Sequence, residues 1–265
     1  MVITSKENHL VKQWKQLSND GKARKKQALF ACEGARLCAD AALSGVPITA
    51  VLYTAEALET YRDRLQAVMD VAKNAYEIAP SVAAFMADTR TPQGVFCICE
   101  MQKNSPDADA LSVGGRYLAL EDVQDPSNLG AIIRTAEALG IDGLLLSNGC
   151  CDVYSPKVLR GSMGGVFRQR ILHTADMCET VVALHAAGLH TYACVPDDAA
   201  TSISELALGK GCVCLIGNEG NGLRTDTVKA CERSITIPMA GRAESLNAAM
   251  AAGIVIWEMT RPTGD

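Results

Sequence analysis

The stretch VCLIGNEGNGLRTDTVKACERSITIPMAGRAESLNAAMAAGIVIWEM, residues 213–259, decides the fold class. Cys212–Ile216 is a continuous apolar run that ends at Gly217, which predicts a buried strand followed by a turn. A second run, Ser234–Ile237, ends at Pro238 and predicts another strand. Two such strand-to-loop exits are typical of an open α/β sheet, in which ligands bind beyond the carboxyl ends of parallel strands.

The residues after the second run predict a helix. Ser245 precedes an Ala-rich segment, so we expect it to be the N-cap of a helix over Ser245–Met259. Between the strands, Gly217, Gly220 and Gly222 frame Glu219. Glycines let a backbone approach a ligand closely. The expected ligand is therefore small, polar and held largely by backbone.

Composition bounds the class of protein. The chain has 265 residues, of which 48% are hydrophobic and 21% charged, which predicts one or two folded domains. No apolar run reaches the roughly 18 residues of a membrane span, and the N-terminus lacks an apolar leader. We therefore expect a cytoplasmic protein.

The cysteines do not predict a metal site. The chain has 11 cysteines but no CxxC motif, and its four histidines form no paired motif. Cys97 and Cys99 alternate within a strand-like run, as do Cys212 and Cys214. Reduced thiols in a cytosolic core are the favoured interpretation, and no metal is expected.

Charge is unevenly distributed along the chain. The net charge is −5, yet residues 1–26 contain seven basic and two acidic side chains. A local basic cluster can engage phosphates even on an acidic protein. The candidates for phosphate contact are Lys22, Arg24, Lys25 and Lys26. The alternative is a solvated terminal helix.

Strand and helix patterns alternate on both sides of a polar segment. Residues 1–101 predict a small α/β domain, 102–115 a linker rich in Pro, Gly, Ser and Asp, and 116–265 a second α/β domain with a mostly parallel sheet. Within these domains we expect a turn at Asn19–Gly21 and a strand at Val166–Leu172.

Several common motifs are absent. DPSNLG stands where a dinucleotide-binding GxGxxG would follow the first strand of the second domain, and there is no Walker A motif. Arg160 occupies the position that a GxSxG nucleophile elbow requires to be glycine. The sequence therefore disfavours NAD enzymes, ATPases and serine hydrolases.

Three stretches together resemble the motifs of the SpoU/TrmH RNA ribose methyltransferases of the SPOUT class. They are LEDVQDPSNLGAIIRTAEALG, CLIGNEGNGL and IPMAGRAESLNAAMAAGIVIWE, and the match spans roughly Leu118 to Met259. The N-terminal region resembles an L30e-type RNA-binding domain through its layout and an FxxEG pattern at Phe30–Gly34.

The resemblance implies an α/β fold with a C-terminal trefoil knot, preceded by a small L30e-like α/β domain. It also implies that S-adenosylmethionine binds in the knot loops. The positions that correspond to the family's cofactor loops are Leu215, Ile216, Gly217, Asn218, Glu219, Gly220, Ile237, Pro238, Met239, Ser245, Leu246, Asn247 and Ala248.

The implied reaction is methyl transfer to a ribose 2′-hydroxyl of RNA, with ribosomal RNA favoured over transfer RNA. The implied catalytic residues are Asn128, Arg134, Glu219, Ser245 and Asn247. The family assigns Arg134 as a base, but a protonated guanidinium has no free acceptor, so an equally economical role is to clamp a phosphate. Arg160 and Ser162 are further candidates for substrate contact.

Three alternatives remain open at this stage. One is a catalytically inactive RNA-binding factor of the same fold, one is a methyltransferase directed at transfer RNA, and one is a base-methylating enzyme. The resemblance also implies a homodimer, in which the helix Ser245–Met259 packs against a partner, whereas a buried core helix fits the same pattern.

Overall fold

The chain folds into two compact units in a computed structural model that describes residues 2–102 and 111–261. One unit comprises Met1–Lys103 together with Asp152–Phe167, and the other comprises Asn104–Cys151 with Arg168–Asp265. Most of the expected linker, residues 103–110, lies outside the described residues. The domain boundaries stay a prediction, because Asp152–Phe167 groups with the first unit by its contacts.

The first unit is built on a mixed four-stranded sheet in the order β1-β4-β2-β3, in which β4 runs antiparallel to β1 and β2, and β3 parallel to β2. The strands are β1 (Leu29–Glu33), β2 (Ile48–Tyr53), β3 (Ala75–Glu77) and β4 (Val95–Glu100). The helices before residue 102 are α1 (His9–Asn19), α2 (Gly21–Gln27), α3 (Ala35–Leu43), α4 (Ala55–Thr60), α5 (Arg62–Val71) and α6 (Pro80–Met86).

The core of the first unit packs α1 and α6 on this sheet. Trp14 of α1 meets Phe96 of β4 edge to face at a centroid distance of 5.1 Å, and both rings are fully buried. The FxxEG pattern has a structural role here. Glu33 accepts hydrogen bonds from the backbone N–H of Asp88 (2.9 Å) and the hydroxyl of Thr89 (2.5 Å), so it fixes the loop after α6.

The second unit is built on a seven-stranded sheet in the order β7-β6-β5-β10-β8-β11-β9, and its strand pairs are parallel. The strands are β5 (Arg116–Leu120), β6 (Gly143–Ser147), β7 (Ile171–Thr174), β8 (His190–Cys194), β9 (Thr201–Ser202), β10 (Cys212–Ile216) and β11 (Arg233–Thr236). The helices after residue 111 are α7 (Pro126–Ala138), α8 (Pro156–Ser162), α9 (Gly165–Arg168), α10 (Met177–Ala186), α11 (Thr225–Ala230) and α12 (Ala248–Thr260).

The central strand β10 is buried throughout, as its continuous apolar run predicts. It lies between β5 and β8 and therefore places its carboxyl end beside theirs. The expected mostly parallel α/β sheet is confirmed. The position of the carboxyl ends matters for function because loops that leave one edge of a parallel sheet converge there.

Two local expectations are wrong. Residues 19–21 do not form an isolated turn, because the Asp20 side chain accepts a hydrogen bond from the backbone N–H of Lys22 and caps the additional helix α2. Residues 166–172 do not form one strand. Met163 and Gly164 adopt positive φ, the chain then makes the short helix α9, and the strand begins only at Ile171.

The cysteines agree with the expected reduced thiols. All 11 are free, and Cys32, Cys38, Cys97, Cys99, Cys212 and Cys214 are buried. Burial raises the pKa of the Cys32 and Cys97 thiols well above the usual value, which keeps them protonated and unreactive. No helix within the described residues is both long and apolar enough to cross a membrane.

Candidate active site

A cleft of about 390 Å³ opens in the second unit where β8, β10 and β11 end. Two chain segments dominate its walls: the cleft loop, Gly217–Leu223, which follows β10, and the segment from Thr236 to Ala251, which leads from β11 into α12. The volume lies within the range of roughly 300–1,000 Å³ that is typical of small-molecule sites. The strand exits that the sequence singled out therefore share one cavity.

Most of the expected cofactor-loop residues line this cleft. Those that do are Ile216, Gly217, Asn218, Glu219, Gly220, Ile237, Met239, Ser245, Leu246 and Ala248. Leu215, Pro238 and Asn247 are not among its lining residues. Leu215 lies inside β10 and is fully buried, so it supports the cleft from within the sheet.

The end of β8 forms a wall of the cleft that the sequence did not indicate. Cys194, Val195 and Pro196, at the end of β8, line the cleft. Since β8 pairs with both β10 and β11, its carboxyl end belongs to the same edge of the sheet. The contribution of these residues was not predicted, because it depends on the position of β8 in the sheet order, which local sequence patterns do not give.

The lining combines apolar side chains with uncharged polar ones, Asn218 and Ser245 among them, and with two acidic ones. Glu219 and Glu244 contribute carboxylates, while the described lining residues include neither Lys nor Arg. A nucleoside phosphate is normally bound by cations or by amides at a helix N-terminus. This cleft instead suits a ligand that combines an apolar ring, hydroxyl groups and a positive charge.

The cleft loop is tightly closed on itself. Asn218 and Gly222 exchange backbone hydrogen bonds of 3.1 and 2.9 Å, and the Asn218 side-chain oxygen accepts from the N–H groups of Gly220 and Asn221. A Cβ on Gly217 would lie 2.1 Å from the carbonyl carbon of Gly222. This close approach of two backbone segments requires glycine at position 217.

Three expected catalytic residues form one hydrogen-bonded network. The Asn128 amide N–H donates to Glu219 (3.0 Å), and its carbonyl oxygen accepts from the side chain of Asn247 (2.9 Å). Asn128 is 7% exposed. A side chain from each of the three sequence motifs thus meets at this point, and Asn128, in the first turn of α7, links the other two.

Glu219 also receives backbone hydrogen bonds from the start of the α7 segment. The N–H groups of Gln124 and Asp125 donate to its two oxygens at 3.1 and 3.0 Å. Burial opposes ionisation of Glu219, but the hydrogen bonds from Asn128 and from these amides outweigh that penalty and lower the pKa of its carboxyl group. The group is therefore a structural carboxylate at neutral pH.

The N-cap of α12 differs from the expectation. Asn247, rather than Ser245, caps the helix, because its side-chain oxygen accepts from the N–H groups of Ala249 (2.9 Å) and Met250 (3.3 Å). Asn is as good an N-cap as Ser. Ser245 lies before the helix as an exposed residue that lines the cleft, so its hydroxyl is free to face a ligand.

Arg134 lies on the same helix as Asn128 but faces solvent. Its side chain is exposed, and it forms neither an ion pair nor a hydrogen bond with the described residues 2–102 and 111–261. It does not line the cleft. An exposed guanidinium without a protein partner is available to bind an anionic group such as a phosphate.

The candidate RNA contacts of the first unit separate into two groups. Lys22, Lys25 and Lys26, hereafter the α2 lysines, are exposed. Arg24 is 5% exposed, forms an ion pair with Asp152 (2.7 Å) and donates to the backbone carbonyl of Leu17 (2.6 Å). Its guanidinium is thus committed to the fold, so Arg24 is not included in the proposed RNA-contacting set.

The two candidates on α8 are also engaged within the first unit. Ser162 is 1% exposed and donates to the backbone carbonyl of Leu159, which excludes a direct substrate contact in this conformation. Arg160 is half-buried and forms an ion pair with Asp88 at 2.8 Å. No group of three or more His, Cys, Asp or Glu within the described residues has an arrangement suited to a metal ion.

A model of the SpoU rRNA Methylase family matches residues 115–257, more than half of the chain. The chain belongs to the SpoU rRNA Methylase family. The resemblance of the three motifs is therefore confirmed. A second model, the MRM3-like substrate binding domain, matches residues 8–97. This match agrees with the substrate-binding N-terminal domain that the sequence predicts.

Relatives of known name match over nearly their full length. RlmP of Bacillus subtilis, a 23S rRNA (guanosine(2553)-2′-O)-methyltransferase, is 29% identical, with 97% of this chain and 98% of the relative covered. A 23S rRNA (uridine(2479)-2′-O)-methyltransferase of Streptomyces viridochromogenes is 30% identical, with 98% of this chain and 91% of the relative covered. A crystal structure of AdoMet-bound rRNA methyltransferase from Sinorhizobium meliloti has a TM-score of 0.84 and 31% identity, covering 97% and 96%.

Proposed function

We propose that this protein transfers a methyl group from S-adenosylmethionine to a ribose 2′-hydroxyl of ribosomal RNA. The observation that carries the proposal is the cleft of the second unit, which is formed by the segments that match the family's cofactor motifs. Relatives that match both units are named as 23S rRNA 2′-O-methyltransferases, and a solved relative that matches over 97% of this chain contains AdoMet.

The chemistry of the cleft fits S-adenosylmethionine. Ile216, Ile237 and Leu246 provide apolar walls for an adenine ring, and the backbone of the cleft loop provides hydrogen-bonding groups for it. The carboxylates of Glu219 and Glu244, together with the absence of Lys and Arg from the described lining, suit a positively charged sulfonium. When bound, the cofactor supplies an activated methyl group.

The chain's own residues would position the acceptor. With S-adenosylmethionine in the cleft, its methyl group would be the one transferred to the 2′-oxygen, and the ribose hydroxyl would lose its proton to a base. Arg134 is exposed and unpaired among the described residues, which supports a role as a clamp on the target phosphate rather than as the base. Asn128 and Asn247 connect the segments that carry them to Glu219 through a chain of hydrogen bonds.

The RNA class is proposed from the relatives, and the nucleotide is left open. Two relatives at 29% and 30% identity are named for different nucleotides of 23S rRNA, a guanosine and a uridine. We assign target binding to the first unit, in which the α2 lysines offer three exposed cations to phosphates.

Assembly, topology and location are part of the proposal. The exposed face of α12 presents Met250 (63% exposed) and Trp257 (53%), which supports a homodimer in which a second copy covers this face. The trefoil knot is proposed because the family resemblance implies it. In support, the cleft loop and the segment 236–251 border the same cavity. The cytoplasm is the proposed location.

The test combines calorimetry with methyl transfer. Wild-type protein is titrated with S-adenosylmethionine and then incubated with tritium-labelled cofactor and ribosomal RNA lacking its native 2′-O-methyl groups. We expect Arg134→Ala to abolish labelling of RNA while cofactor affinity stays within a factor of about two, because Arg134 does not line the cleft. Equal loss of cofactor affinity would refute the assigned role. RNA binding without any labelling by the wild type would identify a noncatalytic factor.

A further inference from the structure

Both ends of the cleft loop are held by one buried residue, Glu121, which follows β5. Its backbone N–H donates to the carbonyl of Ile216 (2.9 Å), the last residue before the loop. Its carboxylate accepts from the backbone N–H of Arg224 (2.8 Å), the first residue after the loop, and from the Arg224 Nε (2.9 Å). The entrance and the exit of the loop are therefore fixed to the same point.

The carboxylate of Glu121 is fully committed to this arrangement. Glu121 is 1% exposed, and the hydroxyl of Thr227 on α11 donates to the oxygen that also receives the Arg224 guanidinium (2.7 Å). A buried carboxylate is costly unless it is paired and hydrogen-bonded. Here each donor comes from the chain just after the cleft loop, so the charge is stabilised only when that chain segment is in place.

Other contacts also support the loop: Asn218 and Gly222 exchange backbone hydrogen bonds, and Leu223 packs against the core of the second unit. Asn218 donates to the backbone carbonyl of Asp122 (2.8 Å), and Glu219 is bound by the amides of Gln124 and Asp125. The residues after Asn218 that line the cleft, Gly222 and Leu223 among them, lead directly into Arg224. The Glu121–Arg224 pair adds a further constraint, because it fixes the segment that follows the loop to the residue that follows β5.

We propose that Glu121 is a positioning residue for cofactor binding, and that it acts through Arg224 by preorganising the cleft loop. Glu121 does not line the cleft itself. The inference rests on the proposed function, since it concerns S-adenosylmethionine affinity. A loop that is fixed before binding loses less conformational entropy on binding, and the affinity rises accordingly. The effect therefore falls on cofactor affinity, whereas the rate at saturating cofactor is conserved.

The experiment measures cofactor affinity by calorimetry in full-length protein. Glu121→Gln conserves size but removes the charge and places an amide N–H against a donor. We expect the Kd for S-adenosylmethionine to rise roughly tenfold, equivalent to about 1.4 kcal/mol. The KM for the cofactor should rise with it, while kcat at saturating cofactor and the Kd for RNA stay within a factor of about two.

Two control variants separate positioning from general stability. Thr227→Val removes another hydrogen bond to Glu121 but leaves Arg224 in place, and Glu137→Gln breaks an ion pair with Arg168 (2.7 Å) in the same unit that does not contact the cleft loop. Both should lower the melting temperature and conserve cofactor affinity. If Glu121→Gln does not fold, Arg224→Met provides the same test, because this side chain is 48% exposed.

The outcomes are distinct. An unchanged Kd in Glu121→Gln or Arg224→Met would overturn the inference, as would an equal loss of affinity in the two controls. Wild-type protein that binds no S-adenosylmethionine would instead refute the proposed function. A rise in Kd confined to Glu121→Gln and Arg224→Met would support the positioning role.

Discussion

Because Asn128 is hydrogen-bonded to Glu219, a nearly isosteric substitution of Asn128 should lower the stability of the fold by a large amount that depends on pH. Asn128→Asp replaces the amide N–H that lies 3.0 Å from Glu219 with a second carboxylate oxygen. Two unit charges about 4 Å apart repel by roughly 4 kcal/mol at an effective dielectric constant of 20. Solvent at Glu219 screens part of this repulsion, so we expect the free energy of unfolding to fall by about 2–3 kcal/mol at pH 7.

The same network contains a matched control. Asn247→Asp retains the oxygen that caps α12 and adds a negative charge at a helix N-terminus, where it is favourable. It replaces the donor that lies 2.9 Å from the Asn128 carbonyl oxygen with an acceptor, so two acceptors face each other and a neutral hydrogen bond worth about 0.5–1.5 kcal/mol is lost. The two substitutions therefore differ mainly in whether a carboxylate is placed against Glu219.

Thermal unfolding monitored by circular dichroism distinguishes the two variants. We expect Asn128→Asp to lower the melting temperature by roughly 4–12 °C at pH 7, since each kcal/mol shifts it by about 2–4 °C in a chain of this size. Mutual repulsion raises the pKa of both carboxyl groups in the folded state, so the penalty should shrink as the pH falls towards about 4.5. Equal losses for the two variants, or a penalty that does not change with pH, would refute the reasoning.

Three further results are expected. Gly217→Ala should weaken S-adenosylmethionine binding by about tenfold or more by calorimetry, because its Cβ would meet the Gly222 backbone at 2.1 Å, whereas Gly209→Ala, which does not line the cleft and has no atom within 4 Å of the added Cβ, should bind normally. Since the pKa of Glu219 is lowered on folding, its contribution to stability is present above its ordinary pKa and lost as the pH falls below it. The difference in melting temperature between wild type and Glu219→Gln should therefore narrow on acidification, and a constant difference would contradict this. Replacing the three α2 lysines with Gln should lower the slope of log Kd for RNA against log salt by about 2, and an unchanged slope would exclude them as phosphate contacts.

Much of the second unit follows from local sequence patterns. The strand Cys212–Ile216 was predicted with the bounds it has, because a continuous apolar run that ends at glycine has few other structures available in an α/β chain. Asn128, Glu219 and Asn247 were identified as candidate site residues from their places in the family motifs. The sequence did not indicate that Asn128 would bridge the other two, since this depends on the arrangement of three distant segments.

The errors have physical causes that a linear pattern does not reveal. Asn19-Asp20-Gly21 is a common turn composition, yet Asp20 also satisfies the requirements of an N-cap, and the next seven residues form α2. Arg24 belongs to a basic cluster, but only the fold shows that it is buried against Asp152. Ser245 and Asn247 are both good caps, and the network with Asn128 places Asn247 at the helix terminus.

The chemical identity of the modified nucleoside decides whether this protein methylates ribose. Ribosomal RNA labelled with tritiated S-adenosylmethionine by the wild-type protein is digested completely to nucleosides and separated by liquid chromatography with mass detection. We expect the label to lie on the ribose of a single 2′-O-methylated nucleoside and to be absent when Arg134→Ala replaces the wild type. A label on a base, or equal labelling by the two proteins, would contradict it.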